Sequence, residues 1–227
     1  MKPYLIVGLL GLLFYNCNGK EESKQPRFVD KLKPYIPKDT GSLYYPLDSL
    51  FFVFDKDNRQ GDSSIKAMNS EILFDLQEPI LYNYPGEAIR LFWIRAFDNP
   101  IIVRVNKVED TIYANIKELM NVSNDADHYI PKIGLDTMIM VSLTKWDDIV
   151  FPLKANNFWN VPVTDSLSDY KDATFWVLEC RLKNKYHYIE RTYLDSSSFK
   201  NFEYAKELFD VGNRVISMKN SREDSIE

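Results

Sequence analysis

"WVLECRLKNKYHYIER", residues 176–191, decides the fold. Two runs rich in aromatic and branched residues flank Lys183-Asn184, a polar pair of the kind that closes a tight hairpin. The pattern predicts antiparallel strands over Thr174 to Leu182 and Lys185 to Leu194. A turn centred between 183 and 184 sets Glu179 opposite Tyr188 and Cys180 opposite His187, and directly facing residues share a side of the sheet. Val177, Glu179, Arg181, Tyr186, Tyr188 and Glu190 then line one face. Trp176, Leu178, Cys180, His187, Ile189 and Arg191 line the other.

Working outward, strands are predicted over 87–97, 101–108, 111–119 and 137–143, with Asn99-Pro100 and Glu109-Asp110 as turns and 121–132 as a polar loop. Ile65, Met68, Ile72, Leu73 and Leu76 recur at helical spacing, predicting a helix over 63–76 that Pro79 stops. Thr144, three before Asp147, resembles a capping box and opens a second helix to about Asn156, with Pro152 weakening its second half. Ser198 opens a last helix from Phe199 to Phe209, which Gly212 ends. Hairpins interleaved with a few helices indicate an α+β fold. The expected form is one domain, a mainly antiparallel sheet with about three helices packed on one face.

The 227 residues are 45% hydrophobic and 27% charged, values of a globular chain long enough for one sizeable core. Net charge is -5 and no basic stripe occurs, which argues against nucleic acid as a partner. No glycine-rich phosphate loop is present, and no cofactor is expected.

The N-terminus reads as a targeting segment. Lys2 precedes an apolar run from Tyr4 to Tyr15, shorter than the roughly 20 residues that a spanning helix needs. The run ends Phe14-Tyr15-Asn16-Cys17. This ending resembles the lipobox of bacterial lipoproteins, although Tyr15 and Asn16 depart from its preference for small residues. The resemblance implies a signal peptide over 1–16, acylation of Cys17, and a polar tether over 17–26. The α+β domain then covers 27–218 and a disordered tail 219–227. It also implies partnership with a membrane through the lipid, in the bacterial outer membrane. Lys20-Glu21-Glu22 resembles the surface-export signal of Bacteroidota lipoproteins and equally fits a solvated tether, so the periplasmic and outer faces both stay open.

Arg90, Trp93, Arg95, Phe97 and Pro100, then Trp146, then Phe158, Trp159 and Pro162, then Trp176, Leu178 and Glu179, then Tyr186, His187 and Arg191 form a spaced series. The series is similar to that of a group of uncharacterised bacterial secreted proteins and lipoproteins. Cys180 stands where the group's pattern has glycine. The resemblance implies one secreted α+β domain and no particular reaction.

Few residues invite a chemical role. Arg95, Glu179, His187 and Arg191 are the candidate binding residues, and Glu179 with His187 would be the acid–base pair of an envelope hydrolase. Strand parity sets those two on opposite faces unless a bulge at Cys180 shifts the register, so His187 reads as a hydrogen-bonded residue of the core or its rim. His128 with Asp125 and Asp127 has no established ligand spacing, and no metal is expected. Trp93 and Trp176 read as core, while Trp146 and Trp159 fall at element edges, where packing competes with a platform for sugars or peptides. Ser49, Ser166 and Ser225 follow aspartate in a pattern resembling the O-glycosylation site of exported Bacteroidota proteins. The expected function is a lipid-anchored, non-catalytic domain that binds an envelope protein, a peptide or a glycan. An immunity or inhibitor-type lipoprotein, acting through acidic segments at 121–127 and 165–172, is the alternative.

Overall fold

Lys183 and Asn184 adopt φ of 47° and 65°, the left-handed pair that a two-residue hairpin turn requires. The register follows from that turn. Glu179 faces Tyr188 and Cys180 faces His187, with no bulge between the two strands. The computed structural model describes residues 35–39, 41–46, 59–95, 98–123, 129–164, 174–193 and 204–223. All of them lie in one compact unit, Leu32–Glu227.

The elements are α1 (Arg59–Asp75), β1 (Glu87–Ile94), β2 (Ile101–Val108), β3 (Thr111–Ser123), β4 (Tyr129–Met140), α2 (Leu143–Ala155), a 3₁₀ turn (Phe158–Asn160), β5 (Thr174–Leu182), β6 (Lys185–Tyr193) and α3 (Lys206–Glu223). The six strands form one sheet in the order β4-β3-β2-β1-β5-β6, and every neighbouring pair is antiparallel. The expected α+β architecture with three helices is the one observed.

Alternate residues of each strand enter opposite cores. Ile89 and Leu91, Val103 and Val105, Leu178 and Cys180 join Trp146, Ile149, Val150 and Leu153 of α2 and Leu208 and Phe209 of α3 on the first face. Phe92, Ile102, Val177 and Tyr188 meet Leu73 and Leu76 of α1, with Tyr44 and Tyr45, on the second. Two of the three helices thus share one face and α1 lies on the other, whereas all three were expected on a single face. The strands explain the division. β1, β2 and β5 are buried on both sides, so a sheet covered on one side alone would leave Phe92, Ile102 and Val177 in water.

Several boundaries differ from expectation. Residues 121–132, read as loop, are partly strand, because β3 runs to Ser123 and β4 starts at Tyr129. Pro131 is tolerated within β4 because that strand lies at the sheet edge, where a missing N–H costs nothing on the outer side. No bulge interrupts β5 at Cys180, as the parity reading requires; a register shift occurs in β4, between the pairs Glu118–Leu135 and Leu119–Ile133, leaving Gly134 without a strand partner. A Cβ on Gly134 would run into the end of the Met120 side chain, which packs over the glycine and would have to move for any larger residue. Ser142, not Thr144, caps α2 by accepting the Lys145 N–H.

Gly212 does not end the last helix. α3 runs through it to Glu223, into the segment expected as a disordered tail. A Cβ on Gly212 would lie 2.9 Å from Val103 Cγ2. The glycine therefore lets α3 press against β2 rather than breaking the helix.

Candidate functional site

Glu179 lies in the core and is fully buried, as is its partner Arg90. Register places Glu179, Arg90, Arg104 and Asn115 in one row across β5, β1, β2 and β3. Two arginines side by side repel, so the row needs carboxylates. Arg90 Nε donates to Glu179 Oε2 at 2.7 Å, and the Tyr186 hydroxyl donates to Glu179 Oε1 at 2.9 Å. Glu78, just beyond α1, answers the rest: Arg104 Nε at 2.7 Å, Lys117 Nζ at 3.2 Å and Arg90 Nη1 at 3.5 Å. Lys117 also donates to the Leu76 carbonyl at 2.6 Å, fixing the C-terminal end of α1 over the sheet.

Burial pushes the Glu78 carboxyl up, but Arg104, Lys117 and Arg90 outweigh it and hold the group at about 2. Burial lifts Glu179 above the ordinary carboxylate range, against the pull of Arg90 and Tyr186. Burial favours the neutral form of Arg90 too, yet Glu179 and Glu78 reverse that and keep it charged. The cluster is closed to solvent, and its partners are internal. It ties α1 and the sheet together and offers no substrate a way in.

His187 is half-buried on the opposite face. Its Nε2 lies 2.9 Å from the Val161 carbonyl, which can only accept, so Nε2 carries the proton. Its ring meets Phe158 edge-on at 5.2 Å. Burial lowers its pKa, opposed by the Val161 bond and helped by Arg191. Arg191 donates to the carbonyls of Pro162 and Val163 at 3.0 and 2.9 Å, and the Glu190 N–H donates to Val163 O. The two side chains fasten residues 158–163 along β6, which closes the sheet edge.

Arg95 organises the β1–β2 connection. It donates to the Asn99 carbonyl at 2.8 Å, pairs with Glu118 at 3.2 Å and lies 5.5 Å from the Trp93 ring. Arg95, Glu179 and His187 thus serve three separate places, as the parity of β5 and β6 implies. Cys180 is fully buried, and burial pushes its thiol well up, into the unreactive form. Cys17, Ser49, His128, Ser166 and Ser225 lie outside the described residues, as do the acidic segment at 165–172 and all of the segment at 121–127 beyond Ser123. Among the described residues, no group of three or more His, Cys, Asp or Glu could hold a metal ion.

A different set of residues surrounds a cleft of about 360 Å³ on the first face. It opens where β1 begins, β2 ends and the β5–β6 hairpin turns, and α2 forms its other wall. Trp146, Val150 and Leu182 give it a buried apolar floor, and Trp159 lines it half-buried. Lys107, Lys154, Lys183 and Lys185 ring it, with Glu87 and Asp147 as the only acids among the described residues. Glu87 Oε1 accepts the Lys183 backbone N–H at 3.3 Å, which joins the hairpin turn to the start of β1. Among the described residues, the lining has no His, Cys, Ser or Thr. That composition suits binding: an apolar floor for contact and fixed cations for charge.

Of this cleft, sequence reading singled out only Trp146 and Trp159, as edge residues. One signal was present, since Trp146, Val150 and Lys154 recur every four residues and share a stripe of α2. Lys107 and Lys183 come from distant elements, and only the folded sheet gathers them. No family model, curated protein or solved structure matches the chain.

Proposed function

We propose that this is a lipid-anchored protein of the bacterial outer membrane whose folded domain binds a ligand without transforming it. The cleft between α2 and the β5–β6 turn is its binding site. The observation that supports the site is the cleft itself: an apolar floor, a half-buried indole and four lysines around a volume of about 360 Å³. That volume is near the lower end of the roughly 300–1,000 Å³ usual for small-molecule sites. The anchor reading comes from the apolar run that ends at Cys17.

The test is an array of immobilised glycans and peptides probed with the full chain in detergent, alongside Trp159→Ala. Wild type should capture one class of ligand, release it unchanged, and lose the capture in Trp159→Ala. Identical capture by both proteins would show that the cleft is not the site.

A further inference from the structure

The four lysines of the cleft are its unusual feature. The chain as a whole is acidic, with a net charge of -5, yet here four ammonium groups meet two carboxylates. Lys145, the residue before the cleft residue Trp146, is neutralised by Glu207 of α3. No such ion pair engages Lys107, Lys154, Lys183 or Lys185 among the described residues. Four like charges with two carboxylates among them leave a surplus that repels, and an anion in the cleft would relieve that repulsion.

We propose that the cleft takes an anionic sugar, with the lysines meeting its carboxylate or phosphate while the ring packs against Trp159 and the apolar floor. This rests on the cleft being the ligand site. Three observations favour a sugar over other anions. The strands that supply Glu87 and Lys107, β1 and β2, are interior to the sheet, and residues 161–163 already occupy part of the edge of β6, the strand that supplies Lys185, so little free edge is left there for a peptide to pair with. Glu87 and Asp147 would repel a simple polyanion, but their oxygens can accept from sugar hydroxyls. Among the described residues the lining contains no arginine, so they offer no planar bidentate clamp for an exposed carboxylate or phosphate, and the lysines act as point charges around a larger body.

The experiment is calorimetry on the full chain in detergent with four probes: a trimer of galacturonic acid, glucose 6-phosphate, a neutral galactose trimer and a glutamate-rich peptide. At least one anionic sugar should bind about tenfold or more tighter than the neutral trimer, with affinity falling as salt rises. Binding of the uronate trimer alone would identify carboxylated chains as the source, and of glucose 6-phosphate alone, phosphorylated sugars. Lys154→Gln combined with Lys185→Gln alters two exposed side chains and should weaken the anionic sugar about tenfold or more while leaving the melting temperature in place. Equal binding of the neutral trimer overturns the charge inference but leaves a sugar cleft. Binding of the peptide alone, or of no probe, overturns the sugar inference. Binding untouched by both the lysine variant and Trp159→Ala overturns the cleft as the site.

Discussion

Replacing Glu78 by glutamine removes the charge that holds α1 to the sheet while keeping the shape of the side chain. In the native protein this carboxylate lies within 3.5 Å of Arg90, Arg104 and Lys117, and it is fully buried. The variant leaves Arg90 paired with Glu179 and takes from Arg104 and Lys117 the carboxylate that they share. Breaking a buried pair from one side costs roughly 3–5 kcal/mol, because the stranded charges stay desolvated. A chain of this size loses about 2–4 °C of melting temperature per kcal/mol, so Glu78→Gln should melt roughly 6–20 °C below wild type. The pH dependence gives a second reading of the same group. Its pKa falls from 4.5 to about 2 on folding, so its stabilisation is complete above the unfolded value and is lost as pH drops through the folded one. That shift corresponds to about 3 kcal/mol, in line with the mutational figure. Glu179, raised by burial, acts in the opposite sense and gains stability on acidification. Subtracting the urea-derived stability of Glu78→Gln from that of wild type isolates Glu78. The difference should shrink between pH 4.5 and 2. A variant that melts within about 2 °C of wild type, or a difference that stays flat across that window, would refute the role given to the cluster.

His187 should titrate below 6.5 by proton NMR, because burial favours the neutral ring; its folded pKa being lowered, stability should decline as pH falls below that value, and a pKa above 6.5 would contradict the packing described. Gly212→Ala should fail to deliver the gain of about 1 kcal/mol that alanine brings in an open helix, because its Cβ would meet Val103 Cγ2 at 2.9 Å; a full gain in urea unfolding would show that α3 does not press on β2. Cys17→Ser should abolish partitioning into detergent and leave unprocessed or soluble chain; unchanged partitioning would remove the lipid anchor.

The hairpin at 183–184 was legible because asparagine beside a polar residue, between two apolar runs, leaves little freedom in register. From that register the separation of Glu179 from His187 followed directly. What the sequence concealed has physical reasons. The polar residues of 121–132 suggested a loop, since nothing local reveals that β4 is an edge strand. Gly212 suggested a helix end, but its role depends on Val103, more than a hundred positions away in the chain. Arg90 and Arg104 read as charged residues of strands, which are ordinarily exposed on one side; only the arrival of Glu78 and Glu179 makes their burial tolerable. The cleft was half legible. Trp146 and Trp159 stood out by type, whereas its lysines come from β2, α2 and the hairpin, and no spacing rule unites them.

The indole N–H resonances of the four tryptophans offer the most direct test of a ligand in this cleft. Trp146 and Trp159 line it. Trp93 and Trp176 pack against Phe209, with ring centroids 4.9 and 6.0 Å away. Each is six residues along its strand from the cleft residue Glu87 or Leu182, roughly 20 Å. Addition of galacturonate trimer to ¹⁵N-labelled protein should shift the Trp146 and Trp159 signals in a saturable way and leave those of Trp93 and Trp176 in place. Saturable shifts confined to Trp93 and Trp176, or no shift at any indole under calorimetrically saturating ligand, would contradict binding at the cleft.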